Sequence, residues 1–587
     1  MPLIEAARFG IEPNSEKDAI PALRAALTAC RDTNASALAF EGGTYHFWPD
    51  RAFEKYAFIS NNDEGLKRVA FLLRGKHHFR IDGRGAQFIF HGPMTPFLVE
   101  ECRDLRIENL SIDYTRPFHS EGRILAVRED SVDLAIPEDY PFDIRNGVLV
   151  FVADIRHPSV PTTVKSGEIL YPYGHLLAYD PERRETAYMV YDKYGVQSGI
   201  AAESIGPRQV RIQVPGVNAS PGDTLVFAAA HRNDPGFVIS KSSDIRLRNV
   251  RIHHVGGMGV IAQRSANISL DHLIVAPPNE SRVISATADA THFTNCTGRI
   301  EIRDCIFENQ MDDASNIHGL YGQVTRILGP NKLEVRLVHP QQAGLTFIEA
   351  GTRLEFSDHR TLEGFGECVV ESVEYLNKEY SIVTTTEMLP ASVLPRTVVA
   401  DADANTAEVI IENCVIRNNR ARGILLGSRG KMRITGNTFH TPGAALLFEG
   451  DANHWFEQAG VRDVVIRNNT FDNCNYGVWG DACIEVRSGI AEASRVASRY
   501  NRNITIEENV FRVFGTHPLV AIYSVSGLTF RKNSVELTHL YPPRKNDGHG
   551  WLDSSNCDRI QWEDPVEICG KRSLPDAHKV LVPVAEA

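Results

Sequence analysis

The chain has 587 residues, 43% hydrophobic and 23% charged, with 44 glycines, the make-up of a folded protein long enough for several domains or one long solenoid. Its formal net charge of −12 argues against DNA or another polyanion as partner, because such binders gather lysine and arginine. No apolar run is long enough to span a bilayer, so no membrane partner is expected.

The opening Met1-Pro2-Leu3-Ile4-Glu5 lacks the basic and apolar regions of a signal peptide. The expected location is therefore the cytoplasm, or the periplasm or exterior for a mature form whose leader was removed. Residues 15–30 read as a helix, with Ser15 and Asp18 as a variant capping box and Ala19, Ile20, Leu23, Leu27 and Cys30 along one apolar face. Such a helix, followed by strand-like 37–40 and the turn Gly42-Gly43, would cap the open end of a strand stack. The first coils are expected at 78–90 and 104–114.

From there one phrase recurs: alternating apolar residues, then Asn or Asp with a small residue, then an apolar residue. Copies begin at Asp244, Asn267, Arg299, Glu408, Lys431, Asp463, Asn503 and Gly527. Matching Leu247 to Leu270, Ile411 to Ile434 and Ile506 to Phe530 gives a step in the range that marks a solenoid. Period-2 alternation selects stacked strands over helical repeats and sends Ile, Leu and Val inward. The recurrent Asn suits a turn or an internal amide ladder. None of the ten cysteines forms a C-x-x-C pair, and Cys305 and Cys414, in matching contexts, read as small residues stacked in a core.

Two stretches break the repeat, at about 119–234 and 321–400. Each holds short strand-like runs with close turns, which suggests a small antiparallel barrel or sandwich. They share a phrase: Gly222–Phe227 followed by His231-Arg232, and Gly351–Phe356 followed by His359-Arg360. The expected organisation is a cap and first coils over 1–118, a β module over 119–234, coils over 235–320, a second module over 321–400, and coils with a C-terminal tail over 401–587. A module could wall a functional site or serve packing or oligomerisation.

The chemistry concentrates at Cys305–Gly319, where Asp312 and Asp313 adjoin. About one coil earlier stands Asp289, so Asp289 and Asp313 fall at matching positions, roughly 4.8 Å apart along the stack. Asp312 would point inward in an extended strand, so the cluster must sit at a bend or bulge. Crowded carboxyls repel, and at least one should hold a proton near neutral pH; a protonated and an ionised carboxyl together are what glycosidic cleavage requires. Calcium is the alternative use of clustered carboxylates. Asn309, Gln310, Asn316, His292 and His318 are candidate contacts to sugar hydroxyls, each alone more often structural. Arg264 could bind a hydroxyl or pair with an aspartate. Glu449, Asp451, Trp455, Tyr476 and Trp479 lie on later coils, where an aromatic face could stack on a sugar.

The coil pattern resembles the all-β, right-handed parallel β-helix of pectin-degrading enzymes. Asp289 with Glu308-Asn-Gln-Met-Asp-Asp-Ala-Ser-Asn-Ile-His-Gly319, together with Asp113-Tyr-Thr-Arg-Pro117 and the two inserts, resembles the alpha-1,3-galactosidases of glycoside hydrolase family 110. The same layout, one Asp and then Asp-Asp a coil later, is similar to that of polygalacturonases. The resemblance implies an exo-acting enzyme without metal or other cofactor that removes terminal alpha-1,3-linked galactose, as on blood-group-B-type glycans, with inversion. It implies Asp312 as general acid and Asp289 with Asp313 activating water, the roles being exchangeable at the level of sequence. A glycan with terminal alpha-galactose is then the expected partner, and a homo-oligomer is open. Two rival readings are a polysaccharide lyase, which needs a basic residue that no Lys or Arg at the matching coil positions obviously supplies, and a non-catalytic solenoid adhesin.

Overall fold

The computed structural model describes residues 2–155 and 167–568; the tail expected beyond the last coils falls outside them at 569–587. The repeats wind into a parallel β-helix with three strand lanes. One coil runs from Thr291–Thr294 through Thr297–Arg303 to Ile306–Glu308, and the next starts at Ser315–Leu320. The pairing register is the one read from the repeat: Leu247 lies against Leu270, Ile411 against Ile434 and Ile506 against Phe530. The inward Ile, Leu, Val and Phe of these strands are fully buried in one continuous core, where each large apolar side chain contributes about 1.5–3 kcal/mol.

The recurrent Asn serves both expected uses. Asn249, Asn413 and Asn468 take left-handed backbone at the corners. A second set stacks inside: Asn437, Asn469, Asn509 and Asn533 pass amide hydrogen bonds of 2.9–3.0 Å from coil to coil. The column continues upward through Cys414, whose N–H donates to Asn437 Oδ1, and Cys305, both buried and free. Each small thiol fills its position and reaches backbone carbonyls, Cys305 that of Arg303 at 3.1 Å and Cys414 that of Glu412 at 3.3 Å.

The capping helix is present but starts later than its sequence suggested, at Ile20–Asp32, while Ser15–Asp18 forms a strand beside Thr44–Phe47. Pro21 in the first turn accounts for this, since proline there costs no helical hydrogen bond. Asp18 Oδ1 accepts the Ile20 N–H, and Ser15 takes no part in capping. Among the described residues no helix is long and apolar enough to cross a membrane.

The first insert packs a seven-stranded antiparallel sheet, running from Glu185–Thr186 to Ala202–Gly206 in spatial order, with a three-stranded one (Phe142–Arg145, Val148–Asp154, Glu168–Leu170) around its own core. The second is a closed six-stranded barrel built from Gly322–Gly329 to Val398–Asp401. The shared phrase yields the strands Thr224–Ala229 and Arg353–Ser357, yet the arginines after them diverge: Arg360 folds back onto Asp358, whereas Arg232 reaches the carboxylate cluster.

A buried ion pair ties the first insert to the coils. His440 Nε2 lies 2.7 Å from Glu185 Oε2, and Tyr541 donates to the other oxygen. Burial works against the imidazolium, but Glu185 outweighs it and raises His440 to about 9. Glu185 is held below its usual range, burial being overcome by His440. The pair therefore stabilises the fold across neutral pH, losing the histidine's share as pH rises through 9 and the glutamate's share only in acid. Glu185→Gln is expected to cost about 3–5 kcal/mol, read as a lowered urea midpoint at pH 7, with a smaller loss above pH 9.

Candidate active site

The cluster forms because three coils in register bring Asp289, Asp313 and Arg422 into one column. Thr291 pairs with Ser315 and Ser315 with Ile424, and just before those pairs the Ala290 N–H donates to Asp313 O and the Ala314 N–H to Gly423 O. Residues 309–314 are the bend the sequence demanded, with Asn309 in left-handed backbone. The bend turns Asp312 outward beside Asp313. One oxygen from each of the three aspartates lies within 4.8 Å of one from each of the others.

Their surroundings differ. Asp313 is gripped by Arg422, which donates from Nε at 2.9 Å, Nη2 at 2.8 Å and its backbone N–H at 3.0 Å. Burial pushes Asp313 up to about 7 against that grip. Asp312 accepts from Arg232 on one oxygen and from Arg420 at 3.3 Å on the other. Burial raises its pKa, but the three guanidiniums win and hold it at about 2. Asp289 accepts no arginine; its Oδ2 faces His292 Nδ1 at 2.7 Å. Burial, then the Asp312 charge, pushes Asp289 up to about 8. Asp289 is therefore the carboxyl that holds a proton most readily near neutral pH, followed by Asp313, while Asp312 stays ionised. Arg232, Arg420 and Arg422 keep Asp312 ionised. Asp312 is the most accessible of the three, its side chain 13% exposed against 4% and 3% for Asp289 and Asp313.

Around the carboxyls, the pocket is lined by Asn61, Arg232, Asn316, Glu449, Trp455 and Glu457, with His292 and Leu425. Glu457 accepts from Asn61 Nδ2 at 2.6 Å and Asn316 Nδ2 at 3.3 Å. Burial pushes Glu449 up to about 7. Trp455 stands on a loop wound about Asp451, whose carboxylate collects the N–H groups of 453–456. Asp451 therefore shapes that loop and is spoken for. His339 from the second insert lies against the Trp455 ring at 4.6 Å. Both inserts wall the site: the second supports Trp455, and the first supplies Arg232 and Asp192, which forks Arg420 at 2.8 and 2.7 Å.

Seven residues singled out in the sequence meet in this pocket: Asp289, Asp312, Asp313, His292, Asn316, Glu449 and Trp455. His318 stands directly behind His292, 2.8 Å away. Others lie elsewhere. Arg264 turns to the second insert, donating to Thr346 and pairing with Glu349 at 3.1 Å. Asn309 donates to the Arg184 carbonyl, and Gln310 is wholly buried with neither amide atom bonded to protein. Trp479 lies under the guanidiniums of Arg420 and Arg422, at 4.7 and 5.8 Å, and carries them rather than facing the pocket. Tyr476 is core, stacked between His440 and Tyr541.

Five lining residues were missed: Asn61, Arg232, Arg422, Leu425 and Glu457. Arg422 had a signal: the repeats at Arg299 and Glu408 differ by the same 109 residues that separate Asp313 from Arg422. Its presence also overturns the expectation that no arginine stands at a matching coil position, although Asp313 engages both its Nε and Nη2. Arg232 and Asn61 come from loops, and Glu457 from the short strand Glu457–Gln458 paired with Leu320, placements that no local pattern encodes. A divalent cation fits the site poorly, because Arg232, Arg420 and Arg422 already compensate the carboxylates a cation would need.

Comparison with known proteins agrees with this architecture. Residues 120–225 match the family model GLAA-B beta-barrel domain I, 332–399 match GLAA-B beta-barrel domain II, and 398–558 match the right handed beta helix region. Alpha-1,3-galactosidase A of Shewanella woodyi is 36% identical over 92% of this chain and 86% of that protein. Alpha-1,3-galactosidase B of Bacteroides thetaiotaomicron is 31% identical over 92% of this chain and 87% of its own length. Alpha-1,3-galactosidase A of Bacteroides fragilis is 30% identical over 91% and 87%. At 30–36% identity to these three proteins over nine-tenths of its length, the chain belongs to the alpha-1,3-galactosidase family.

Proposed function

We propose that this protein is an exo-acting, inverting glycoside hydrolase that removes terminal alpha-1,3-linked galactose from glycans of blood-group-B or linear alpha-galactosyl type. One observation carries the reading: three clustered aspartates, Asp289 and Asp313 buried and Asp312 partly so, in a pocket of a chain whose relatives are named alpha-1,3-galactosidases. Loops from three directions, bearing Asn61, Arg232 and Trp455, surround the carboxyls, which suits one terminal sugar better than a polymer lying along the coils. Trp455 offers an apolar face for the ring, and Asn316, Glu449 and the arginines offer bonds to its hydroxyls.

In this proposal Asp312, the accessible carboxyl, protonates the leaving oxygen. Sugar hydroxyls draw Arg232 and Arg420 away from it, its affinity for a proton rises, and the proton moves over from Asp289. Asp289 and Asp313, now both ionised, hold a water against the anomeric carbon. The water's oxygen bonds to carbon as the glycosidic bond breaks, the Asp312 proton leaves with the departing sugar, and the water's proton goes to Asp289. The resting state is restored with no proton gained or lost.

Retention is a second reading that one distance favours: oxygens within 4.8 Å are nearer the ~5–5.5 Å of retaining than the ~6.5–9.5 Å of inverting glycosidases. Proton NMR of the sugar first released from alpha-1,3-galactobiose separates the two. Beta-galactose is the expected product, alpha-galactose would establish retention, and no release from any alpha-1,3-galactoside would remove the substrate class.

A further inference from the structure

We propose that His292 and His318 are positioning residues that fix the direction of a buried hydrogen-bond chain and thereby keep the resting proton on Asp289. The proposal deepens the function above and follows from counting hydrogens. His318 Nδ1 lies 2.7 Å from the Gly319 carbonyl oxygen. A carbonyl only accepts, so Nδ1 carries the hydrogen. In a neutral His318, Nε2 is then bare. His292 Nε2 lies 2.8 Å from it and must donate. That leaves His292 Nδ1 bare, 2.7 Å from Asp289 Oδ2. A bare nitrogen cannot donate to a carboxylate, so the hydrogen between them belongs to Asp289. Every bond in the chain points one way, from the Asp289 hydroxyl through two imidazoles to Gly319.

Both imidazoles are shut in, with side chains 1% and 2% exposed, and burial lowers the proton affinity of each. The groups facing Asp289 act in the same sense. Asp312, Asp313, Glu449 and Glu457 crowd it with negative charge, and Arg232 and Arg422 offset only part of that. Two rival arrangements hold the same number of protons. A His292 imidazolium would donate from Nδ1 to an ionised Asp289, and burial disfavours that charge. A His318 imidazolium, 3.5 Å from Glu457 Oε1, would reverse both bonds and leave Asp289 ionised. Glu457 already accepts from Asn61 and Asn316, which lessens its pull on that proton. The function of the relay is to hold the water-side carboxyl neutral until substrate arrives, so that the pocket does not carry three bare aspartates.

The test uses the full chain, free of substrate, with nitrogen-15 in its histidines. Around neutral pH the expected spectrum has His292 protonated at Nε2 alone and His318 at Nδ1 alone, and the infrared spectrum has a carboxylic-acid band that Asp289→Asn removes. A doubly protonated His292, or a doubly protonated His318 with His292 protonated at Nδ1, overturns the proposal. Kinetics supplies a second arm. His318→Leu frees His292 to place its hydrogen on Nδ1 and donate to Asp289, so the alkaline limb of kcat/KM should move about one unit lower, a tenfold loss above it. His318→Gln, whose amide oxygen still accepts from His292, should keep the limb near its original place. An equal fall at every pH in both variants, with the limb unmoved, would mean the histidines only pack, and would sink the proposal. The nitrogen pattern is read without substrate, so it stands or falls apart from whether alpha-1,3-galactosides are cleaved.

Discussion

Asp312→Asn is expected to lower kcat on alpha-1,3-galactobiose by about 10²–10⁴-fold, the usual contribution of a proton delivered in the transition state. The same variant should lose far less on 4-nitrophenyl alpha-galactoside, whose leaving group departs without a proton. Asp289→Asn and Asp313→Asn should lose heavily on both substrates, because water must be activated whatever departs. The contrast identifies roles in a way that three inactive variants cannot. It also confronts the main tension in the site, since Asp312 is held at about 2 in the empty pocket by the arginines around it. If Asp312→Asn is equally impaired on both substrates, Asp312 is not the acid, and the proton resting on Asp289 passes to the leaving group directly. Thermal unfolding of each variant guards against misfolding, since Asp312→Asn leaves Arg232 without its carboxylate, whereas Arg420 keeps Asp192.

How much of this could be read in the chain follows from where each residue lies relative to the repeat. The coils were legible because one strand face is buried and the other is not, so a slip of one residue would expose every Ile and Val; Leu247 and Leu270 had to pair. Asp289 and Asp313 were legible for the same reason, their separation being one uninterrupted coil. Arg422 occupies the next coil of that column, but a barrel lies between and disguises the step. Arg232 was illegible in a stronger sense. It follows the same phrase as Arg360, and only the docking of the first insert aims one at Asp312 while the other pairs with its own neighbour, Asp358. Arg264 and Gln310 erred in the opposite direction. Proximity in sequence to the cluster made them candidates, although a corner turns Arg264 toward Glu349 and the interior takes Gln310.

Arg422→Met is the substitution expected to change the pH profile most. Burial and the Asp312 charge favour protonated Asp313, and the Arg422 grip opposes them, leaving it at about 7. Removing the guanidinium removes the term that favours the carboxylate, so Asp313 moves further up and is protonated at neutral pH. A carboxyl whose folded-state affinity for protons is raised is useless as a base below that value, so the acid limb of kcat/KM should shift to higher pH. At pH 7 the loss should be about 10²-fold or more, the lower end of what a positioned base supplies, with partial recovery as pH rises toward the limit at which Asp289 loses the proton the reaction needs. The two limbs then approach each other and the optimum narrows and falls. A variant whose activity drops equally at every pH would show instead that Arg422 acts by holding the sugar. An unshifted acid limb with activity intact would mean that Asp313 takes no part in activating water. Methionine keeps most of the length of the aliphatic stem, so the change isolates the charge more cleanly than alanine would.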